Sequence, residues 1–193
     1  TVVTEQVRGL LGLDLDGLER AVASSVPGAG GICFLPYLNG ERTPNLPQSC
    51  GVIHGMHTDN MNPPNLVRAA MEGATLGLAY GLESFRGMGV IPSEIRLTGG
   101  GSNSGEWRQI AADAFNTPVV MLSTAEGAGL GAAIQAAHCS AGGSSKYDDL
   151  CTRYVALDEN TRCEPDAGNV EIYRELLEKQ TDMTRELHAA GRL

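Results

Sequence analysis

A glycine-rich turn between a strand-like and a helix-like segment holds the residues best suited to bind a ligand. The sequence there reads LTGGGSNSG. Three consecutive glycines let the backbone approach a flat or anionic ligand with no side chain in the way. Free amides at the start of the next helix favour negative charge, and Asn103 or Ser104 can hydrogen-bond a heterocycle. The pattern predicts ligand contact through Gly99, Gly100 and Gly101, and a flexible strand-to-helix turn is the alternative.

A charged loop is the second candidate. Residues 32–38, ICFLPYL, form an apolar run typical of a buried strand. Glu41 and Arg42 follow it, between Gly40 and Pro44. Loops held in this way often carry function. Contact with a substrate or nucleotide and a structural ion pair that fixes the loop are both consistent with the sequence.

Other catalytic patterns are not found. The glycines of residues 126–133 recur at alternate positions, which does not match the dinucleotide fingerprint. A helix whose small side chains allow close packing against the sheet is the simpler interpretation. His54 and His57 lack further ligands at zinc spacing, and Asp113 is more simply a solvated or capping carboxylate than a base. Since the sequence also has no P-loop and no nucleophile elbow, we predict no catalytic residue and no metal ligand.

The elements that must position the glycine turn are predicted from apolar periodicity. Two short strands, 32–38 and 51–56, should pair antiparallel, and the best helix of the chain begins at Pro63. Strands and helices then alternate from 94 to 139, which requires parallel neighbouring strands and crossover helices. The last long helix covers about 169–190. Together these elements predict an α/β fold with a mixed sheet flanked by helices.

Three glycines lie four residues apart in the long helix, at Gly73, Gly77 and Gly81. Each costs about 0.5–1 kcal/mol relative to alanine in a helix. We therefore expect another helix or a sheet to pack very close to this face.

Composition narrows the class of protein. A chain of 193 residues with 42% hydrophobic residues suits one domain with a full core. The formal net charge of −9 argues against binding to nucleic acid or anionic membranes. Five cysteines, an odd number, indicate reduced thiols in a cytoplasmic protein. Apolar runs are too short for a membrane span, and the helical pattern that starts at once after Thr1 suggests part of a longer protein.

Several motifs resemble one family of enzymes. GVIHGM at 51–56, followed by NLVRAAME at 65–72, resembles the C-terminal signature of the FGGY carbohydrate kinases. FLPYLNGERTP at 34–44 resembles the xylulokinase branch, and the glycine turn with its following helix is similar to the adenosine segment of that branch. LGAA at 130–133 matches the closing helix of the family. The resemblance covers about residues 4–140.

The resemblance implies a ribonuclease-H-like domain of the actin, Hsp70 and hexokinase type. Residues 1–193 would form a single C-terminal nucleotide-binding domain, with a helical entry at 1–30, a core at 31–140 and C-terminal helices at 141–193. ATP and Mg²⁺ would lie in a cleft between two halves. The N-terminal half, which supplies the sugar site and the catalytic base, has no match in this sequence.

The resemblance also implies roles for the glycine turn. Gly99, Gly100 and Gly101 would line the adenine and ribose, Ser104 would bond the base, and Asn103 is a weaker candidate. The parent enzyme would transfer the ATP γ-phosphoryl group to a sugar hydroxyl, most simply of D-xylulose, and this part alone would be inactive. Two alternatives stay open: a kinase for ribulose, glycerol or gluconate, and a non-catalytic interaction module that can form a homodimer.

Overall fold

The computed structural model describes residues 1–124, 126–143 and 145–193. In chain order the elements are α1 (Val2–Leu10), α2 (Leu15–Ala23), β1 (Cys33–Leu35), β2 (Val52–His54), α3 (Pro63–Gly87), β3 (Ile95–Leu97), α4 (Gly105–Phe115), β4 (Val119–Leu122), α5 (Gly127–Ser140), α6 (Tyr147–Tyr154), β5 (Leu157–Cys163) and α7 (Ala167–Ala189). The chain starts with two helices, and strands and helices alternate from β3 to α5, as the sequence predicts for residues 94–139.

Two small sheets carry the strands. β1 and β2 pair antiparallel, with Phe34 opposite Ile53. In the second sheet β3 and β4 are parallel, with Ile95 opposite Val119, and β5 pairs antiparallel with β4. The predicted antiparallel pair and the predicted parallel neighbours are both confirmed. Parallel pairing places the carboxyl ends of β3 and β4 at the same edge.

Strand β5 was missed by the sequence reasoning, which predicted only helices over 141–193. Its sequence, LDENTRC, is mostly polar and shows no regular apolar alternation. A strand at the edge of a sheet has a neighbour on one side only, and polar or charged residues are common there. The pairing with β4 therefore depends on tertiary contact, including a register irregularity between Val119 and Met121.

The long helix α3 is the central element of the core. The side chain of Asn62 caps its start, accepting a hydrogen bond from the Asn65 amide at 3.0 Å. The main cluster of buried side chains joins α3 to α1, α2, β1 and α7, and a second cluster joins it to α4 and β4. In the described part of the chain, no helix combines the length and the apolar character needed to cross a lipid bilayer.

The glycine row in α3 serves close packing at only one of its three positions. A Cβ atom at Gly73 would lie 2.2 Å from the carbonyl oxygen of Phe34, so β1 packs directly on this backbone. A Cβ atom at Gly77 or Gly81 would meet nothing within 4 Å. The expected close neighbour is therefore found at Gly73 and is not found at the other two.

A buried ionisable cluster joins α3 to the segment after α2 and to α7. The Oε1 atom of Glu72 accepts hydrogen bonds from the Gly28 amide and the Tyr173 hydroxyl, each at 2.9 Å. The Arg68 guanidinium lies 3.7 Å from the same oxygen. Burial raises the pKa of Glu72 to about 7, although these partners favour the charged carboxylate. Burial also raises the pKa of Tyr173.

This raised pKa predicts how stability depends on pH. The folded state binds the Glu72 proton more tightly than the unfolded state, whose pKa is near 4.5. The stabilisation of the folded state by this bound proton is complete below pH 4.5, and it is lost as the pH rises through about 7. Relative to Glu72→Gln, the wild type should therefore lose about 3 kcal/mol of unfolding free energy over this window.

Urea denaturation of both proteins at several pH values between 4 and 8 measures this difference. Glu175→Gln is the control, because Glu175 is an exposed carboxylate on the same helix as Tyr173. The control curve should run parallel to that of the wild type. If Glu72→Gln also runs parallel, Glu72 does not titrate as its burial indicates.

Candidate functional site

The glycine turn lies at the carboxyl end of β3, next to the carboxyl end of its parallel neighbour β4. In open α/β sheets, ligands bind outside the carboxyl ends of the strands. The chain leaves β3 through Gly99, which has a φ of +93°. A single 3₁₀ turn, Gly100–Asn103, then leads into α4. The turn is therefore placed by the sheet on one side and by a helix start on the other.

The turn has an open side and a closed side. A Cβ atom at Gly99 or Gly100 would meet nothing within 4 Å. A Cβ atom at Gly101 would lie 3.1 Å from the Trp107 ring. The indole is held in place by a 2.9 Å hydrogen bond from its Nε1 to the Thr75 hydroxyl. Trp107 thus forms a wall under the third glycine.

A cavity of about 150 Å³ opens on the exposed side of the turn. It is lined by the end of β3, the turn and the end of β4, through Leu97, Thr98, Gly99, Gly100, Ser102, Asn103, Met121, Leu122 and Thr124. Sequence reasoning named Gly99, Gly100 and Asn103 of these residues. It missed Met121, Leu122 and Thr124, since only the parallel pairing of β3 with β4 brings residues from the second strand to the turn.

Gly101 and Ser104 have different surroundings from Gly99 and Gly100. Gly101 lines a second cavity of about 200 Å³, walled largely by apolar side chains that include Leu78, Trp107 and Phe115. Ser104 does not line either cavity. Its hydroxyl oxygen accepts a 3.0 Å hydrogen bond from the Trp107 amide and caps α4. The structure therefore gives Ser104 the task of fixing the helix start.

The Glu41 and Arg42 loop lies against other elements. Glu41 Oε1 accepts hydrogen bonds from the main-chain amides of Arg42 at 2.6 Å and Thr43 at 3.1 Å. The backbone of Glu41 also exchanges two 2.9 Å hydrogen bonds with Leu46. The carboxylate thus fixes the loop through amides rather than through an ion pair with Arg42. The cavity that the loop lines, with α3 and α7, contains none of the glycine-turn residues.

No described part of the chain assembles a metal centre of three or more His, Cys, Asp or Glu side chains. The open glycines and the adjoining cavity do fit a nucleoside, because bare backbone at Gly99 and Gly100 leaves space for a flat ring.

Comparison with protein families shows which family the chain belongs to. Residues 12–140 match the C-terminal domain of the FGGY family of carbohydrate kinases. The chain belongs to this family. The match includes the antiparallel pair, α3, the glycine turn and α5, so the whole site described above lies within the FGGY domain.

Curated and solved relatives agree with this assignment. Xylulose kinase of Haemophilus influenzae is 41% identical over 93% of this chain, which spans 36% of the length of that enzyme. The crystal structure of xylulose kinase from Rhodospirillum rubrum matches with a TM-score of 0.83 and 26% identity, over 97% of this chain and 38% of the other.

Xylulose kinase from Bifidobacterium adolescentis matches with a TM-score of 0.69 and 32% identity, over 90% of this chain and 33% of the other. The predicted α/β fold of the ribonuclease-H-like type is confirmed by these neighbours and by the mixed sheet. Each solved relative carries more chain than the part matched here.

Proposed function

We propose that this chain is the ATP-binding, C-terminal part of a kinase that transfers the γ-phosphoryl group of ATP to a hydroxyl of D-xylulose. The observation that carries the proposal is the open glycine turn at the carboxyl ends of β3 and β4, inside the matched FGGY segment. The names of the relatives favour xylulose over ribulose, glycerol or gluconate. Since the chain spans about a third of those relatives, we expect no turnover from it alone.

In this proposal the backbone does most of the binding. Gly99 and Gly100 present bare main chain to the purine and ribose, and Asn103 offers an exposed amide side chain at the rim. Amides at the start of the 3₁₀ turn and of α4 can meet negative charge. Gly101 supports the indole wall, and Ser104 holds the start of α4. ATP supplies the transferred phosphoryl group, and Mg²⁺ would arrive with it.

Replacing Gly100 by leucine tests the site directly. The backbone of Gly100 does not need a positive φ and its surroundings are open, so the variant should fold normally. The side chain would occupy the space assigned to the nucleoside, and we expect ADP affinity to fall at least about tenfold, which is about 1.4 kcal/mol. Isothermal titration calorimetry with ADP and Mg²⁺ measures the change.

Gly81→Leu is the matched control, because Gly81 also has open space and lies in α3 away from the turn. Its ADP affinity should equal that of the wild type. Equal binding heats for Gly100→Leu and the wild type would show that ADP does not bind in the cavity beside Gly100. Normal turnover of xylulose by the wild-type chain would contradict the expected inactivity.

A second candidate function, association into a homodimer, is favoured by an exposed apolar face on α3 and just after it. Leu78, Phe85 and Met88 recur at helical spacing and are 66%, 55% and 70% exposed. An exposed apolar row of this kind favours association. Light scattering at several protein concentrations should show a dimer, and a monomer throughout would exclude this function.

We also propose a cytoplasmic location, because the five cysteines are free thiols and thiols stay reduced in that compartment. The proposed partners are then ATP or ADP, and a sugar held by the other half of the enzyme. Nucleic acid is an unsuitable partner for a chain with a net charge of −9.

A further inference from the structure

Arg108 lies behind the glycine turn and connects the elements around it. Its side chain starts from the first turn of α4, and Nη1 donates a 2.7 Å hydrogen bond to the main-chain carbonyl oxygen of Ser102. The same nitrogen lies 3.5 Å from the Sδ atom of Met121 in β4. One guanidinium therefore joins α4, the turn and the strand that forms the opposite wall of the cavity.

Ser102 connects the Arg108 hydrogen bond to Gly99, at the open end of the turn. Its side chain is buried, and its hydroxyl donates a 2.7 Å hydrogen bond to the carbonyl oxygen of Gly99. The Ser102 amide donates to the same oxygen at 3.1 Å. Three glycines in a row have many backbone conformations available. Restraints from neighbouring side chains are what can select the one conformation seen here.

Arg108 itself does not line the cavity beside Gly99 and Gly100. Its Nε atom is buried and has no hydrogen-bond partner in the described structure. Keeping a guanidinium in such a place costs desolvation free energy that an apolar side chain of similar length would avoid. The hydrogen bond from Arg108 to the Ser102 carbonyl oxygen is an interaction that an apolar side chain at this position could not make.

We propose that Arg108 is a positioning residue for the nucleoside, which holds the glycine turn in the shape that receives the ligand. This inference rests on the nucleotide site proposed above and adds a residue that acts on it from behind. Arg108→Met keeps a flexible side chain of similar length and removes every donor. Arg108→Lys keeps one charged donor that can reach the Ser102 carbonyl, so it should restore part of the function.

Titration of adenosine and of ADP into the wild type and both variants tests the proposal. Trp107 is the only tryptophan, and its ring lies against Gly101, so its fluorescence reports on the turn. Loss of a hydrogen bond from a charged donor should weaken both ligands by a similar factor, roughly tenfold or more, in Arg108→Met. Arg108→Lys should bind with intermediate affinity.

Arg96→Met is the matched control. Arg96 is an exposed residue of β3, near the turn, and pairs with Glu94 at 3.1 Å. The change removes one positive charge, as Arg108→Met does, from a residue that makes no hydrogen bond with Ser102. Its affinity for adenosine and ADP should equal that of the wild type.

Two outcomes would overturn the positioning role. The first is unchanged adenosine affinity in Arg108→Met, and a loss for ADP alone would then show that Arg108 attracts phosphates. The second is an equal loss of affinity in Arg96→Met. If the wild type binds neither ligand, the proposed nucleotide site itself is wrong. Acrylamide quenching of Trp107 then still tests Arg108, because only Arg108→Met should increase it, and unchanged quenching would reject the role.

Discussion

Replacing Gly73 by alanine is expected to lower the free energy of unfolding by about 3 kcal/mol, a large effect for one methyl group. The added Cβ atom would lie 2.2 Å from the carbonyl oxygen of Phe34 and 3.2 Å from its carbonyl carbon. Both are backbone atoms of β1, which is buried and paired with β2. A flexible side chain could rotate away from the added Cβ atom, but a backbone carbonyl cannot. The clash is therefore relieved only if the whole strand moves away from α3.

Gly77→Ala is the matched control, one helical turn further along α3. The added Cβ atom would meet nothing within 4 Å, so only the intrinsic preference of the helix for alanine remains. This variant should be more stable than the wild type by about 0.5–1 kcal/mol. Urea denaturation measures both proteins. Similar shifts in the two variants, in either direction, would show that β1 does not pack on Gly73 as described.

Replacing Asp113 by alanine should also cost about 3 kcal/mol, because a buried acceptor with several donors disappears. Asp113 Oδ1 accepts hydrogen bonds from the Asp166 amide and Gln109 Nε2, each at 2.8 Å. Oδ2 accepts from Asn169 Nδ2 at 2.9 Å. Asp166 in turn caps α7. Loss of the carboxylate therefore loosens the start of α7 as well as the end of α4.

Hydrogen exchange distinguishes this local effect from a general loss of stability. Amides in the first turns of α7 should exchange faster in Asp113→Ala than amides in α1, which Asp113 does not contact. The control is Asp182→Ala, since Asp182 is 62% exposed in its pair with Arg185. Such a surface change should alter stability by no more than about 0.5 kcal/mol. Equal losses in both variants would contradict the assigned role.

Local patterns in the sequence were enough to predict most elements and the position of the turn. Pro63 and Pro64 mark the start of α3, and alternating strands and helices from 94 to 139 require a parallel pair. These features depend on propensities and periodicities that act within a few residues. The glycine turn was recognisable for the same reason, since three adjacent glycines at a strand end are a local signal.

Tertiary structure alone decided which residues share the site. Met121 and Thr124 reach the turn only because β4 pairs with β3 in a parallel register. Gly73 and Gly77 look alike in the sequence, yet one lies against a backbone carbonyl and the other faces open space. Asp113 was expected to be a solvated or capping carboxylate, and it is buried against a segment about 55 residues later. Contacts between distant segments leave no periodic signature in either segment, so local patterns could not predict them.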